Sequence, residues 1–329
     1  MSKIMIKKWF FLLLLVVVAC TTVVAQGTWM RGSHSFVYTG YEPLKDKPIV
    51  VRYYIPLKGD VTTMRVLFSM HGADRDAAAC VETWRHFAEA DGFIVIAPEY
   101  ARNNGWLEND YQLGGIFTDR TFAELNPFEK WTYNTIEAIF DDLKQQIGNR
   151  AEQYDIHGHS AGGQFVHRMV LAMPNTRIRL AVASNPSTWT YPLIEGLKDK
   201  DGNVYGWPYS VKGTPFANEE DIKRYLAAPL VIHLGNADIS TTDESLARSA
   251  GAMAQGRHRF ERGNAFFRAS RQISRDMKTS FGWRRIEVQD VGHAGRTIVY
   301  GRRRTVDGRN VFSIDNITRT GAYSVIYGR

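Results

Sequence analysis

The sequence predicts an α/β fold: a mostly parallel, doubly wound sheet with helices on both faces and aromatic-rich loop insertions. Three observations predict it. Short, almost wholly apolar runs recur through the chain, as strands buried on both faces require. Amphipathic helical patterns lie between them, and that alternation argues parallel pairing. At 329 residues the chain can bury a large core, and neither an internal repeat nor a low-complexity linker divides it.

Strands are expected at residues 50–55, 64–70, 93–97, 154–156, 180–184, 230–234 and 285–291. Helices are expected at 80–90, 127–147, 161–172, 219–227 and 260–278. For the second helix, Asn126 is the expected N-cap, with Pro127 at the first helical position. Residues 99–126 and 185–218 break the alternation. Both are long, rich in aromatics and follow strands, so they emerge at the carboxyl edge of the sheet, where ligands bind in such folds. Trp189, Tyr191 and Trp207 in the second segment are candidate substrate-binding residues, since such side chains offer stacking faces with polar edges. After residue 300 the alternating patterns at 311–314 and 323–327 read as two short strands, a terminal hairpin in a basic tail spanning 301–329.

The chain opens with Lys3, Lys7 and Lys8, an apolar run over 9–19, and small residues up to Ala25. That is the basic head, apolar middle and small-residue end of an export signal. The run falls short of the roughly 20 apolar residues of a membrane span. Cleavage after Ala25 leaves a soluble exported protein, with residues 26–300 as the main domain. Alternatively, Val17-Val18-Ala19-Cys20 resembles a lipoprotein signal, and acylation of Cys20 would tether the protein to a membrane. The residues after Cys20 stay apolar instead of turning polar as a linker would, which favours the soluble form. Cys80 is then the one remaining cysteine, so no internal disulfide is expected. The net charge of +7 sits outside the main domain. The leader lysines contribute +3 and the tail +4, which leaves residues 26–300 about neutral. A nucleic-acid binder carries its basic face on the folded body, so that class is set aside.

The stretch "DIHGHSAGGQF", residues 155–165, carries the chemistry. An apolar strand runs into Gly158-His159-Ser160-Ala161-Gly162 and then into a helical pattern, the G-x-S-x-G corner that lifts a serine clear of the sheet. Such a serine sits near a helix N-terminus, whose free N–H groups favour developing negative charge. It needs a base, and position among the nine histidines points to His293. His293 follows the last expected strand and stands among Gly292, Ala294 and Gly295. The acid that holds the imidazole is expected just past the preceding strand, at Asp238, with Asp243 the nearer rival and Asp290 a more distant one. The backbone N–H groups of Ala73, after His71-Gly72, and of Ala161 are the expected oxyanion donors. His71 then has a structural role.

Met70-His71-Gly72, the 158–162 corner, Gly235-Asn236-Ala237-Asp238 and Val291-Gly292-His293 resemble, in order and rough spacing, the motifs of the α/β-hydrolase superfamily. Over residues 49–300 the chain is similar to exported bacterial esterases related to polyhydroxybutyrate depolymerases and feruloyl esterases. The single glycine after His71 departs from lipases with an HGGG oxyanion loop. The resemblance implies a serine hydrolase of small or carbohydrate-linked and aromatic esters, working through an acyl-enzyme with no metal or organic cofactor. Three alternatives stand beside it. One is a peptidase of the same chemistry. Another is a metal hydrolase built on His157-x-His159. The third is a catalytically silent binding protein that keeps the fold.

Overall fold

The computed structural model describes residues 27–302, 305–306 and 309–328. The leader and Cys20 lie outside the described residues. An eight-stranded sheet runs through the molecule in the order β1-β2-β4-β3-β5-β6-β7-β8. The strands are β1 (Gly32–Tyr38), β2 (Ile49–Ile55), β3 (Arg65–Met70), β4 (Phe93–Glu99), β5 (Tyr154–His159), β6 (Ile178–Ser184), β7 (Leu230–Gly235) and β8 (Arg284–Val288). β1 and β2 enter antiparallel at one edge. From β4 to β8 every pairing is parallel. β1, with its exposed and polar residues, carries no buried-strand signal in the sequence and is an addition to the expected set.

The principal helices are α1 (Ala77–Asp91), α2 (Asn134–Ile147), α3 (Ala161–Ala172), α4 (Glu219–Ala227), α5 (Arg259–Asp276), α6 (Gly295–Tyr300) and α7 (Ala322–Tyr327). Alternation along the strands sends side chains to two separate cores. Val66, Phe68 and Met70 of β3 join the core that contains α2 and α3, whereas Leu67 joins the core under α1. α3 is buried on all sides, which its run of small and apolar residues permits.

Two expectations are corrected here. The helix expected over 127–147 starts only at Asn134. Asn126 does not cap it. Its side-chain amide donates instead to the carbonyls of Gly115 and Phe117, and this ties the preceding loop. A single 3-10 turn at Phe128–Lys130 separates the two. The terminal segment differs more. A short pairing joins Thr305–Val306 to Arg309–Asn310, but residues 311–313 form no strand, and residues 323–327 lie in a helix. Six residues are too few to separate a period of 2 from one of 3.6. Gly321 precedes this helix, Gly328 ends it in the left-handed region, and Ala322, Tyr323 and Ile326 face inward. The tail is therefore part of the core. Tyr323 stacks on Phe87 of α1 with ring centroids 4.0 Å apart, and its hydroxyl donates to Asp91.

The tail is also tied to the sheet by a buried histidine. His233 on β7 uses Nε2–H to donate to the Thr320 carbonyl at 2.7 Å. Its Nδ1 must then accept from Ser184 Oγ, 2.7 Å away. Ser184 in turn accepts from His157 Nε2–H at 3.1 Å. Burial pushes His157 down to about 3 and His233 to about 4, so both are neutral at pH 7. His71 is likewise held down to about 3, and His159 and His167 lie well below the usual range, all chiefly through burial.

These features set two expected outcomes. Truncating Tyr323 to alanine should cost about 3 kcal/mol in a urea titration, as for other large core aromatics. A loss under about 0.5 kcal/mol, the size expected at the surface, would place the tail outside the cooperative unit. The second concerns pH. Histidines that stay neutral when folded but protonate when unfolded give stability that is complete above about pH 6.5. It is lost progressively as pH falls toward the folded values of about 3 to 4. Unfolding free energy should therefore drop by about 1 kcal/mol per buried histidine between pH 6.5 and 5.5. A flat profile over that interval would contradict the burial of neutral imidazoles.

Candidate active site

The 158–162 corner forms because two glycines let backbones touch. A Cβ on Gly158 would lie 2.3 Å from the carbonyl group of Gly162, the second residue of α3. A Cβ on Gly162 would lie 2.2 Å from the carbonyl oxygen of Met70 at the end of β3. Without side chains there, α3 starts directly against the carboxyl ends of β5 and β3. Ser160 takes the turn itself, at φ 57° and ψ −117°, a region that non-glycine residues rarely occupy. Its N–H is held by the Ser184 carbonyl at 2.9 Å. Ala161 begins the helix beside the 71–73 loop, and Ser160 and Ala73 line one cavity.

Ser160 meets two distant residues. Its Oγ lies 3.0 Å from His293 Nε2, and His293 Nδ1 lies 2.7 Å from Asp238 Oδ2. The carboxylate accepts from Nδ1–H, which leaves Nε2 as the acceptor for the serine proton. Asp238 is 2 % exposed, whereas His293 is partly open to the cavity. The two loops that carry them are joined backbone to backbone. Asn236 N–H donates to Val288 O, and Ala237 N–H to Val291 O. Gly235 permits this, since a Cβ there would lie 2.2 Å from the Val291 oxygen. Asn185, at φ 46° after β6, accepts from Gly235 N–H and donates to the Gly292 carbonyl. The sequence names Asn236 only within the Gly235–Asp238 motif and does not mark Asn185, although asparagine directly after a strand is the available signal for both.

His71 has a structural place. Its Nδ1–H donates to Gly72 O and its Nε2 accepts from Tyr100 N–H, which fixes the 71–73 loop in one conformation. Asp243 is held by Arg259 and Ser245, and Asp290 sits exposed in a turn. Neither meets His293. His157 spends Nε2 on Ser184, and His159 packs beside His293 with ring centroids 4.5 Å apart. Among the described residues no group of three His, Cys, Asp or Glu side chains surrounds that pair.

The cavity beside Ser160 has a volume of about 480 Å³ and lies between α1 and α6. Met70, Cys80, Trp84 and Val299 give it an apolar interior. Asp74, Asp76 and Glu82 are exposed along its wall, with Arg296 as the one cation among the residues that line it. Burial pushes the Cys80 thiol up to about 12, which disfavours its thiolate.

The aromatic residues of the second insertion are corrected from substrate contacts to core. Trp189, Tyr191 and Trp207 are buried and do not line the cavity. Trp189 stacks on Phe266 at 4.7 Å, and Trp207 packs against Phe216 and near Arg168. Arg168 of α3, fully buried, donates to Gln112 O in the first insertion and to Thr188, Thr190 and Pro208 in the second. It laces both insertions to the same helix.

No family model matches the chain, and no curated protein does. Solved structures do. Poly(aspartic acid) hydrolase-1 from Sphingomonas sp. KT-1 is 33% identical over 82% of this chain and 96% of its own, with a TM-score of 0.74. A poly(3-hydroxybutyrate) depolymerase from Bordetella parapertussis is 26% identical over 82% of this chain and 86% of its own, also at 0.74. An S-formylglutathione hydrolase from Staphylococcus aureus, 14% identical over 81% of this chain and 93% of its own with a TM-score of 0.50, shares the fold alone. With this sheet order and this relative identity, the chain belongs to the α/β-hydrolase superfamily, among its esterases and related hydrolases.

Proposed function

We propose that the protein is an exported serine hydrolase of carboxylic esters that works through an acyl-enzyme. One observation carries the reading: Ser160, His293 and Asp238 stand in a continuous hydrogen-bonded line at 3.0 and 2.7 Å. Ser160 Oγ attacks the acyl carbon while its proton passes to His293 Nε2. The imidazolium is stabilised by Asp238 and returns that proton to the departing alcohol as the C–O bond breaks. Water then attacks the acyl carbon, its proton going to His293 and back to Ser160. The N–H groups of Ala73 and Ala161 receive the oxyanion, and each such donor is worth about 100-fold in rate or more. Export rests on the leader sequence alone.

The cavity wall bears on the substrate. The Sphingomonas relative is a hydrolase of poly(aspartic acid), a polyanion, and the Bordetella relative is a depolymerase of a neutral polyester. Glu82 is paired with Arg85, which leaves Asp74 and Asp76 against Arg296; that balance offers no cationic surface for an anionic chain, and the apolar interior suits a neutral acyl group. With the aromatic insertion residues in the core, ring stacking no longer supports an aromatic or sugar ester in particular. An amide substrate is the second reading, kept because the Sphingomonas relative acts on a polyamide.

A fluorophosphonate probe should label Ser160 and nothing else, and Ser160→Ala should lose both label and at least about 1,000-fold of the rate. Label or rate that survives that change would end the reading. Substrate charge is tested with nitrophenyl butyrate and nitrophenyl succinate. The neutral ester should have the higher kcat/KM, and added salt should narrow the gap by screening the carboxylates. Preference for the succinyl ester, or for oligo-aspartate over both, would favour the anionic amide reading.

A further inference from the structure

Behind Asp238 lies a fully buried arginine that the reaction as written does not use. Arg259 is the first residue of α5. Its guanidinium donates to Asp238 Oδ1 at 3.5 Å, to Asp243 Oδ1 at 3.0 Å and to Ser245 Oγ at 2.7 Å. The next residue, Phe260, donates its N–H to the Asp238 carbonyl at 3.2 Å. Asp238 is thus gripped from two sides, with Oδ2 given to His293 and Oδ1 facing the guanidinium. Asp243 is only partly buried and balances the buried cation.

We propose that Arg259 is a positioning residue for the Ser160–His293–Asp238 line, and that Asp243 is its counter-ion. The proposal rests on the serine-hydrolase reading above. Arg259 does two things. Its planar fork fixes the rotation of the Asp238 carboxylate, so that Oδ2 points at His293 Nδ1. Its charge offsets part of the Asp238 charge that His293 feels, and Asp243 returns part of that offset. The groups around His293 are Ser160 and His159 on the β5 side, Asp238 after β7 and Arg296 on α6. Arg259 and Asp243 stand behind Asp238.

Opposite charges at one place predict opposite effects. Removing the Arg259 charge strengthens the hold of Asp238 on the imidazolium. The acid limb of the rate profile then moves to higher pH. Removing the Asp243 charge leaves Arg259 uncompensated, and the limb moves to lower pH. Damage to packing alone would lower the rate in both variants without moving the limbs apart.

The test compares Arg259→Met, Arg259→Lys and Asp243→Asn on nitrophenyl butyrate from pH 5 to 9, each checked by circular dichroism and thermal melting. Arg259→Met should lose about tenfold in kcat with KM unchanged, and its acid limb should rise by about half a pH unit. Arg259→Lys should keep the wild-type limb while kcat falls, because charge remains and the fork is lost. Asp243→Asn should shift the limb downward. Should Arg259→Met fail to fold, the other two variants decide. A wild-type limb in Asp243→Asn, or a limb displaced in Arg259→Lys as in a charge-free variant, would overturn the proposal. Ser160→Ala separates this failure from a wider one. If it stays active, the serine reading fails. If it is dead while Asp243→Asn keeps the wild-type limb, only the role of Arg259 and Asp243 fails.

Discussion

The molecule depends on a contact too close for any side chain. Where β5 turns into α3, the backbone of Gly158 lies against Gly162, and Gly162 lies against Met70 of β3. Three elements meet there at distances a methyl group would forbid. Strain at Ser160 follows, because the chain must reverse within one residue to bring the helix onto the strand it has just left. Such a conformation persists only where its surroundings fix it. Here the Ser184 carbonyl holds the Ser160 N–H, and the Ser160 carbonyl receives the Gln164 N–H. The same contact sets the start of α3 beside the 71–73 loop and aims the hydroxyl across the sheet edge toward the loops after β7 and β8.

Around that edge the buried histidines are neutral, and charge enters at Asp238 and Arg259 beside His293 and where arginines tie distant loops. His71, His157, His159, His167 and His233 are kept uncharged by burial. A buried cation costs several kcal/mol unless its donors are satisfied. Arg262 meets that condition by donating mainly to loop carbonyls, and Arg168 by donating to two loop carbonyls, the Thr188 and Thr190 hydroxyls and the Gln164 side chain. Arg168 gathers the two aromatic insertions, and Arg262 joins the carbonyls of Ser187, Ala247 and Gly256. The long connections are thus ordered from below. His293 is partly open to the cavity beside Ser160, and His159, packed beside it, also lines it.

The fold was largely legible in the sequence because its core strands are buried on both faces and read as almost wholly apolar runs, as in Ile94–Ala97 and, broken only by His233, Leu230–Leu234. α3 and α4 could be bounded to the residue. The corner at Ser160 and Pro174 mark the limits of one, and Asn218 and Pro229 bracket the other. The line of Ser160, His293 and Asp238 was also legible, since each follows a strand and the sheet delivers them to one edge. Other features were not. The exposed edge strand β1 has no buried run to announce it. The six-residue helix α7 carries an aromatic pattern that fits either period. Trp189 and Trp207 pack inward because Phe266 and Phe216, far away or past a turn, supply their partners. Arg259 sat in a run of charge that reads as a solvated surface, and only the fold shows it to be fully buried against Asp238.

The central claim is that Ser160 takes the acyl group onto its own oxygen. Rapid mixing with nitrophenyl acetate, followed by acid quenching and peptide mass spectrometry, tests this most directly. The account predicts a burst of about one nitrophenolate per protein chain and one acetyl group on the peptide that carries Ser160. Linear release without a burst, together with no acetylated peptide or acetyl on another residue, would contradict it.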